Sequence, residues 1–177
     1  MNLPTGSLLR KRVVTEASTA LATALDRSVT GYLRLSSQET LLLESDDTGV
    51  LTLEDGIPVV AYHTGTGRGG PLALGDMAVP GPYGMQLYKL DRSRLAAVHE
   101  AEDLRVAPGM PAERLAGDAT LAERSLRAAP ADRTRGEAAT RSSASAVEAF
   151  LEDEEKIRTL KERARAEAEQ RATEWDL

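Results

Sequence analysis

The stretch Thr48-Gly-Val-Leu-Thr-Leu-Glu-Asp-Gly-Ile-Pro-Val-Val-Ala-Tyr62 decides the fold. Val50–Leu53 is a short β-branched and apolar run, the composition of a strand. Asp55-Gly56 follows it, and Ile57–Tyr62 returns. A two-residue hairpin of type I′ needs positive φ at both turn positions, which Asp and Gly supply at low cost. Pro58 donates no backbone hydrogen, so the return strand is an edge or starts pairing only after the proline. A hairpin at this point makes the sheet at least partly antiparallel.

Working outward, Val29–Leu35 alternates polar and apolar residues and reads as a strand. Thr40–Glu44 is a further short apolar run, and Asp46-Asp47 makes a polar turn. Ser7–Leu25 reads as one amphipathic helix, because Val13, Val14, Ala17, Ala20, Leu21, Ala24 and Leu25 recur at spacings of three and four. Downstream lies a glycine cluster, His63–Gly70. A short helix over Pro71–Met77 follows, with proline at its first position, where a missing N–H is harmless. Pro80-Gly81-Pro82 breaks the chain. Tyr83–Leu90 is the last strand, and Asp91 caps a helix from Arg92 to Ala101. This order predicts an α+β domain over residues 1–103. Its sheet is mostly antiparallel, of four or five strands, with helices on one face.

The remainder divides into three parts. Residues 104–128 read as an extended arm, with Leu104–Glu113 a connector and a short helix capped by Asp118. Residues 129–144 read as a disordered linker, since Arg127–Ala146 contains no Leu, Ile, Val, Met or Phe. Residues 145–177 read as a charged helix. Ser145-Ala-Val-Glu148 has the form of a capping box. Glu152 with Lys156, and Glu154 with Arg158, stand four apart, where opposite charges support a helix. Phe150, Leu151, Ile157 and Leu160 form a short apolar stripe near its start, suited to docking on a partner or to a short self-associating coiled coil.

Composition excludes several function classes. Aromatic residues are 3% of the 177-residue chain, so the core is built from Leu, Val and Ala. There is no cysteine, hence no disulfide, thiolate metal site or cysteine nucleophile. Two histidines, His63 and His99, leave no multi-histidine metal centre, and no cofactor is implied. A net charge of −6 argues against general nucleic-acid binding. No run approaches the roughly 18 apolar residues that span a bilayer. Thr15, Glu16, Ser18, Thr19 and Thr23 interrupt the N-terminal apolar stretch, so no signal peptide is read there. The expectation is a cytoplasmic protein with no membrane contact. The basic triplet Arg10-Lys11-Arg12 is expected on a solvated helix face. With 18 Arg against 4 Lys and an acidic balance, the chain also suits a high-salt cytoplasm.

One motif carries a sharper reading. Gly65-x-Gly67-x-x-Gly70 follows a strand and precedes a helix, and Asp91 lies 21 residues beyond Gly70. That is the spacing of a dinucleotide fingerprint, in which backbone N–H groups and a helix N-terminus receive phosphate. Gly65, Thr66, Gly67, Arg68, Gly69 and Gly70 are therefore a candidate anion loop, with Arg68 able to pair a phosphate bidentately. Against it, the preceding strand is hairpin-paired, whereas that fingerprint belongs to a parallel sheet with further βαβ units. A surface loop is the plainer reading. His63 has no serine, aspartate or second histidine placed beside it for base catalysis. His99, beside Glu100 and Glu102, is expected to be solvated.

With strands and loop placed, the chain resembles the PATAN-type domain of bacterial and archaeal signalling proteins. The resemblance runs over roughly residues 8–100. Gly31-Tyr-Leu-Arg-Leu35, Thr48-Gly-Val-Leu-Thr-Leu53, Asp55-Gly-Ile-Pro-Val-Val-Ala61 and Pro71-Leu-Ala-Leu74 carry it. It implies an adaptor that makes protein contacts and has no catalytic residues. The chain departs from that pattern in having no attached receiver domain, in Pro58 and in its long glycine loop. It also resembles small proteins of halophilic archaea, which implies no activity. The expected function is a non-enzymatic interaction module in signalling or regulation, with another protein as partner and the C-terminal helix as a docking or dimerising element. The alternative is a nucleotide- or anion-binding protein that uses residues 65–70.

Overall fold

The computed structural model describes residues 3–37 and 47–134. The run Thr40–Glu44, residues 135–144 of the linker and the helix over 145–177 lie outside them. Five strands form one antiparallel sheet: β1 (Ser7–Val14), β2 (Gly31–Ser37), β3 (Thr48–Glu54), β4 (Ile57–His63) and β5 (Tyr83–Lys89). Their order across the sheet is β1-β5-β2-β3-β4. The α+β class and the antiparallel sheet are as expected.

The hairpin is where the sequence places it. Asp55 has φ 50° and Gly56 φ 83°, the paired positive values of a type I′ turn. A Cβ on Gly56 would also stand 2.5 Å from the carbonyl oxygen of Ala24, so the turn packs against a helix end that admits no side chain. Pro58 lies on β4, an edge strand. The register shifts opposite Thr52 and Leu53, where Val59 is an extra, bulged residue on β4, so that Thr52 pairs with Val60 and Leu53 with Pro58.

One expectation fails at the N-terminus. Ser7–Leu25 is not a single helix: Ser7–Val14 is strand β1, and α1 runs over Ala17–Asp26. The helical spacing is real from Ala17 onward, where Ala17, Ala20, Leu21 and Ala24 are buried. Val13 and Val14 extended that stripe by coincidence, and their β-branched side chains favour the extended chain they occupy. The basic triplet therefore lies on a strand and not on a helix face. β1 and β2 run in the same direction, with β5 inserted between them, so β1-α1-β2 is a split βαβ unit.

Four further helices follow among the described residues: α2 (Gly70–Met77), α3 (Arg92–His99), α4 (Met110–Ala116) and α5 (Ala119–Ala128). α1, α2, α4 and α5 supply Leu21, Leu74, Ala112 and Leu121 to one core, on the sheet face that carries Leu33, Leu51, Leu53, Met85 and Leu87. Each fully buried leucine contributes about 1.5–3 kcal/mol. α3 lies on the opposite face, where Leu95 packs with Tyr32, Val50 and Leu90. Asp91 occupies the N-cap of α3, but its side chain accepts no capping hydrogen bond. Asp118 does cap α5, accepting from the Leu121 amide at 2.9 Å.

The segment after α3 is more ordered than the sequence suggests. The connector Leu104–Glu113 holds the end of a 3-10 turn (Glu102–Leu104) and the start of α4, with Pro111 in the first turn, where it needs no N–H. The Val106 amide donates to the Val59 carbonyl at 3.0 Å, and Arg105 forms a bridge with Val60. The chain thus covers the outer edge of β4 on its way between the two faces. The Arg133 guanidinium donates to the carbonyls of Pro58 and Val106. Residues up to Thr134 therefore belong to the first compact unit, and residues 104–128 are part of it, not an arm beyond it.

Candidate interaction surface

The glycine loop is closed on itself. The His63 amide donates to the Arg68 carbonyl at 2.9 Å, and the Gly67 amide to the His63 carbonyl at 2.9 Å. The Thr66 amide donates to His63 Nδ1 at 3.2 Å. Arg68 is held at 3.1 Å by Asp76, whose second oxygen accepts the Thr66 hydroxyl at 2.6 Å. That carboxylate stands where an anion would have to enter. Gly70, at φ 60°, lies so close to the Asp103 carbonyl that a Cβ would be 2.6 Å from it, and Gly69 is pressed against Leu104. The glycines at 69 and 70 thus admit the neighbouring chain. Asp91 adjoins Arg92, which pairs with Asp55 at the hairpin end of β4, whereas Gly65–Gly70 follow the other end. Seven residues of strand separate the two ends, on the order of 20 Å. The six loop residues are brought together, but Asp91 is not brought to them.

A second polar cluster was not foreseen. His99 is buried, not solvated. Its Nδ1 lies 3.2 Å from Glu54 and its Nε2 2.9 Å from the Thr52 hydroxyl. The bonding resolves if neutral His99 donates from Nδ1 to the carboxylate and accepts the Thr52 hydroxyl at Nε2. Thr52 in turn accepts the Val60 amide at 3.1 Å, which the bulge frees from the ladder. Burial lowers the His99 pKa first of all. Glu54 opposes that shift, and the charges of Arg133 and Arg105 add to it. A hydroxyl, an imidazole and a carboxylate in this order look like a nucleophile with its base. Thr52, however, is fully buried. The cluster ties α3 to β3, and its hydroxyl is sealed from solvent. Sequence reading missed it because the period-2 pattern that would align Thr52 with Glu54 says nothing of which helix covers them.

The strand misread as a helix carries the least satisfied groups. Among the described residues β1 is the free edge of the sheet, pairing only with β5. Arg10, Lys11 and Arg12 have no carboxylate partner among the described residues, and Arg12 Nε is buried without a hydrogen bond. Arg27, Arg34 and Lys89, on the turn after α1 and on β2 and β5, are likewise unpaired there. By contrast, Arg68, Arg92 and Arg124 each hold a carboxylate. A chain of net charge −6 thus gathers unpaired cations at one side of its sheet.

Register defines the geometry of this side. Arg10 and Arg12 stand opposite Leu87 and Met85, on the helix-covered face, and Lys11 opposite Gln86 on the other. Gln86 also faces Arg34, so Lys11, Gln86 and Arg34 form a row across β1, β5 and β2. In the next row Tyr88 stacks on Tyr32 with ring centroids 4.7 Å apart. Leu8, Leu9 and Val13 are 52%, 44% and 65% exposed, so three of the five exposed large apolar side chains among the described residues lie on β1. The ladder is irregular between Leu8 and Arg10. Leu9, Arg27, Thr30 and Lys89 help to line a cleft of about 400 Å³.

Phe150, Leu151, Ile157 and Leu160 lie outside the described residues. Among those residues no group of acidic or histidine side chains could hold a metal ion, and no helix is long and apolar enough to cross a membrane. No curated protein and no solved structure gives a significant match to the chain. The family described as Domain of unknown function (DUF8572) matches residues 2–177, and the chain belongs to that family.

Proposed function

We propose that the chain is a non-enzymatic protein-interaction module, a signalling or regulatory adaptor working in the cytoplasm. The observation that carries this reading is the free edge β1, which combines unpaired cations with exposed Leu8, Leu9 and Val13. An open strand edge is a template for another chain, and folds usually cover or blunt it. Here the segment around Arg105 and Val106 covers β4, and no described residue pairs with the outer side of β1. The two clusters that resemble chemical sites support the same reading: the glycine loop spends Arg68 on Asp76, and Thr52 is sealed beneath His99. The PATAN-type resemblance points the same way. Residues 145–177 enter as a second contact, a docking helix that meets a partner protein, or a second copy, through Phe150, Leu151, Ile157 and Leu160. The family match extends through residue 177, so the tail is part of what the family shares.

The test is cross-linking of the full chain in native extract. It is repeated with Arg10→Glu/Lys11→Glu and with Phe150→Ser/Leu160→Ser. Loss of the same cross-linked proteins in either variant supports the module. An unchanged set in both removes it. A nucleotide-specific thermal shift that vanishes in Arg68→Ala would instead favour the glycine loop.

A further inference from the structure

We infer that β1 receives an acidic peptide in extended form, which adds to the sheet as a sixth strand. This inference rests on the interaction-module reading and names the partner's chemistry and pose. A strand laid along β1 takes its affinity from backbone hydrogen bonds and its selectivity from the side chains it sets opposite those of β1. Arg10, Lys11 and Arg12 are consecutive and alternate between the two faces of the sheet. Their complement is therefore three consecutive acidic residues, one opposite each cation. Leu8 and Val13 flank the cations and are exposed, so the complement carries an apolar residue at each end. At the Leu8 end lies the cleft with Arg27 and Lys89, placed to receive a further carboxylate.

A second copy of this chain is the poorer occupant. Any symmetric antiparallel pairing of β1 with itself centred on the triplet sets cation against cation, which opposes association. The remaining surface of an acidic protein repels an acidic ligand, so the patch also selects where that ligand lands.

The test uses the full chain and a fluorescent peptide, Thr-Val-Glu-Glu-Glu-Thr-Val-Thr. Controls carry Lys for Glu, or Pro at the central Glu. Anisotropy gives affinity, and hydrogen exchange reads protection at Ser7–Val14. We expect binding of the acidic peptide, protection confined to β1 and its neighbours, and at least tenfold weakening by Lys11→Glu. Arg114→Glu, an equal change of charge on α4, should alter affinity less than threefold. The inference is overturned if the lysine peptide binds as well, or if β1 gains no protection. It is equally overturned if the proline peptide or polyphosphate binds as tightly as the acidic strand, because the site would then be a generic anion surface. Should the acidic peptide fail while the cross-linked partners of the wild-type chain still depend on residues 10 and 11, the module stands and only this mode of binding falls.

Discussion

His99 Nε2 lies 2.9 Å from the hydroxyl of Thr52, a residue 47 positions away in the chain. This contact joins α3 to the sheet face opposite the main core. It makes the stability of the fold depend on the protonation of one buried ring. The neutral ring accepts the Thr52 hydroxyl and donates to Glu54. Protonation would remove that acceptor and place a charge in a buried site near Arg105 and Arg133.

The sign of the pH dependence follows. The folded pKa of His99 is lowered, so the unfolded chain binds the proton more readily. Its stabilising contribution is complete above the unfolded value of about 6.5 and declines as pH falls below it, until the folded pKa is passed. Urea midpoints between pH 8 and 5 should show the wild type losing its advantage over His99→Gln as pH falls. A constant difference across that range would contradict the assignment.

Thr52→Val keeps the shape and removes the hydroxyl. Two buried partners then lose their bonds: His99 Nε2 and the Val60 amide at the bulge. Each orphaned group costs about 1–3 kcal/mol. Chemical denaturation should place the variant at least about 2 kcal/mol below wild type, a large loss for a nearly isosteric substitution and diagnostic of the cluster. A loss under about 0.5 kcal/mol would mean the hydroxyl is not bonded as described.

Gly56→Ala tests the turn that set the sheet. The position has φ 83°, and a Cβ would stand 2.5 Å from the Ala24 carbonyl oxygen. Left-handed backbone alone costs a residue with a side chain about 1–2 kcal/mol, and the contact with α1 adds to it. Asp55→Asn should be close to neutral, since asparagine also accepts the positive φ of that position. Thermal denaturation of the two variants should separate them clearly.

The local signals of turns were legible and the tertiary ones were not. Asp55-Gly56, Pro71 and Asp118 each act within a few residues, so their chemistry could be read directly. β1 was hidden because an edge strand needs no regular alternation: Arg10 and Arg12 lie on the main-core face, and Lys11 and Val13 on the face that carries α3. Its last two valines joined the stripe of α1 by chance. The folded course of residues 104–116 was hidden because prolines are read as breakers, yet Pro111 starts a helix. Glu100 and Glu102 beside His99 point to solvent, whereas its partners Thr52 and Glu54 lie on a strand far back in the chain. The candidate surface was legible only in its residues. Arg10-Lys11-Arg12 stood out in the sequence, but it took the sheet order to put them on an open edge.

The same triplet should also keep β1 from pairing with the β1 of a second copy. Replacing Arg10, Lys11 and Arg12 together by threonine leaves a strand of high β propensity on a free edge, beside exposed Leu8, Leu9 and Val13. The charges that oppose edge-to-edge pairing are then gone, and the net charge of the chain moves from −6 to −9 by loss of three cations. If general charge repulsion governed association, the more acidic variant would be the less associated. If the local edge governs it, the variant should form dimers or larger species through β1. Sedimentation velocity of the variant and the wild type, each carrying Phe150→Ser and Leu160→Ser to silence any association through the tail, separates the two. Association that appears only in the threonine variant, with new amide protection at Ser7–Val14, assigns to the cations the second task of holding the edge open for an acidic strand.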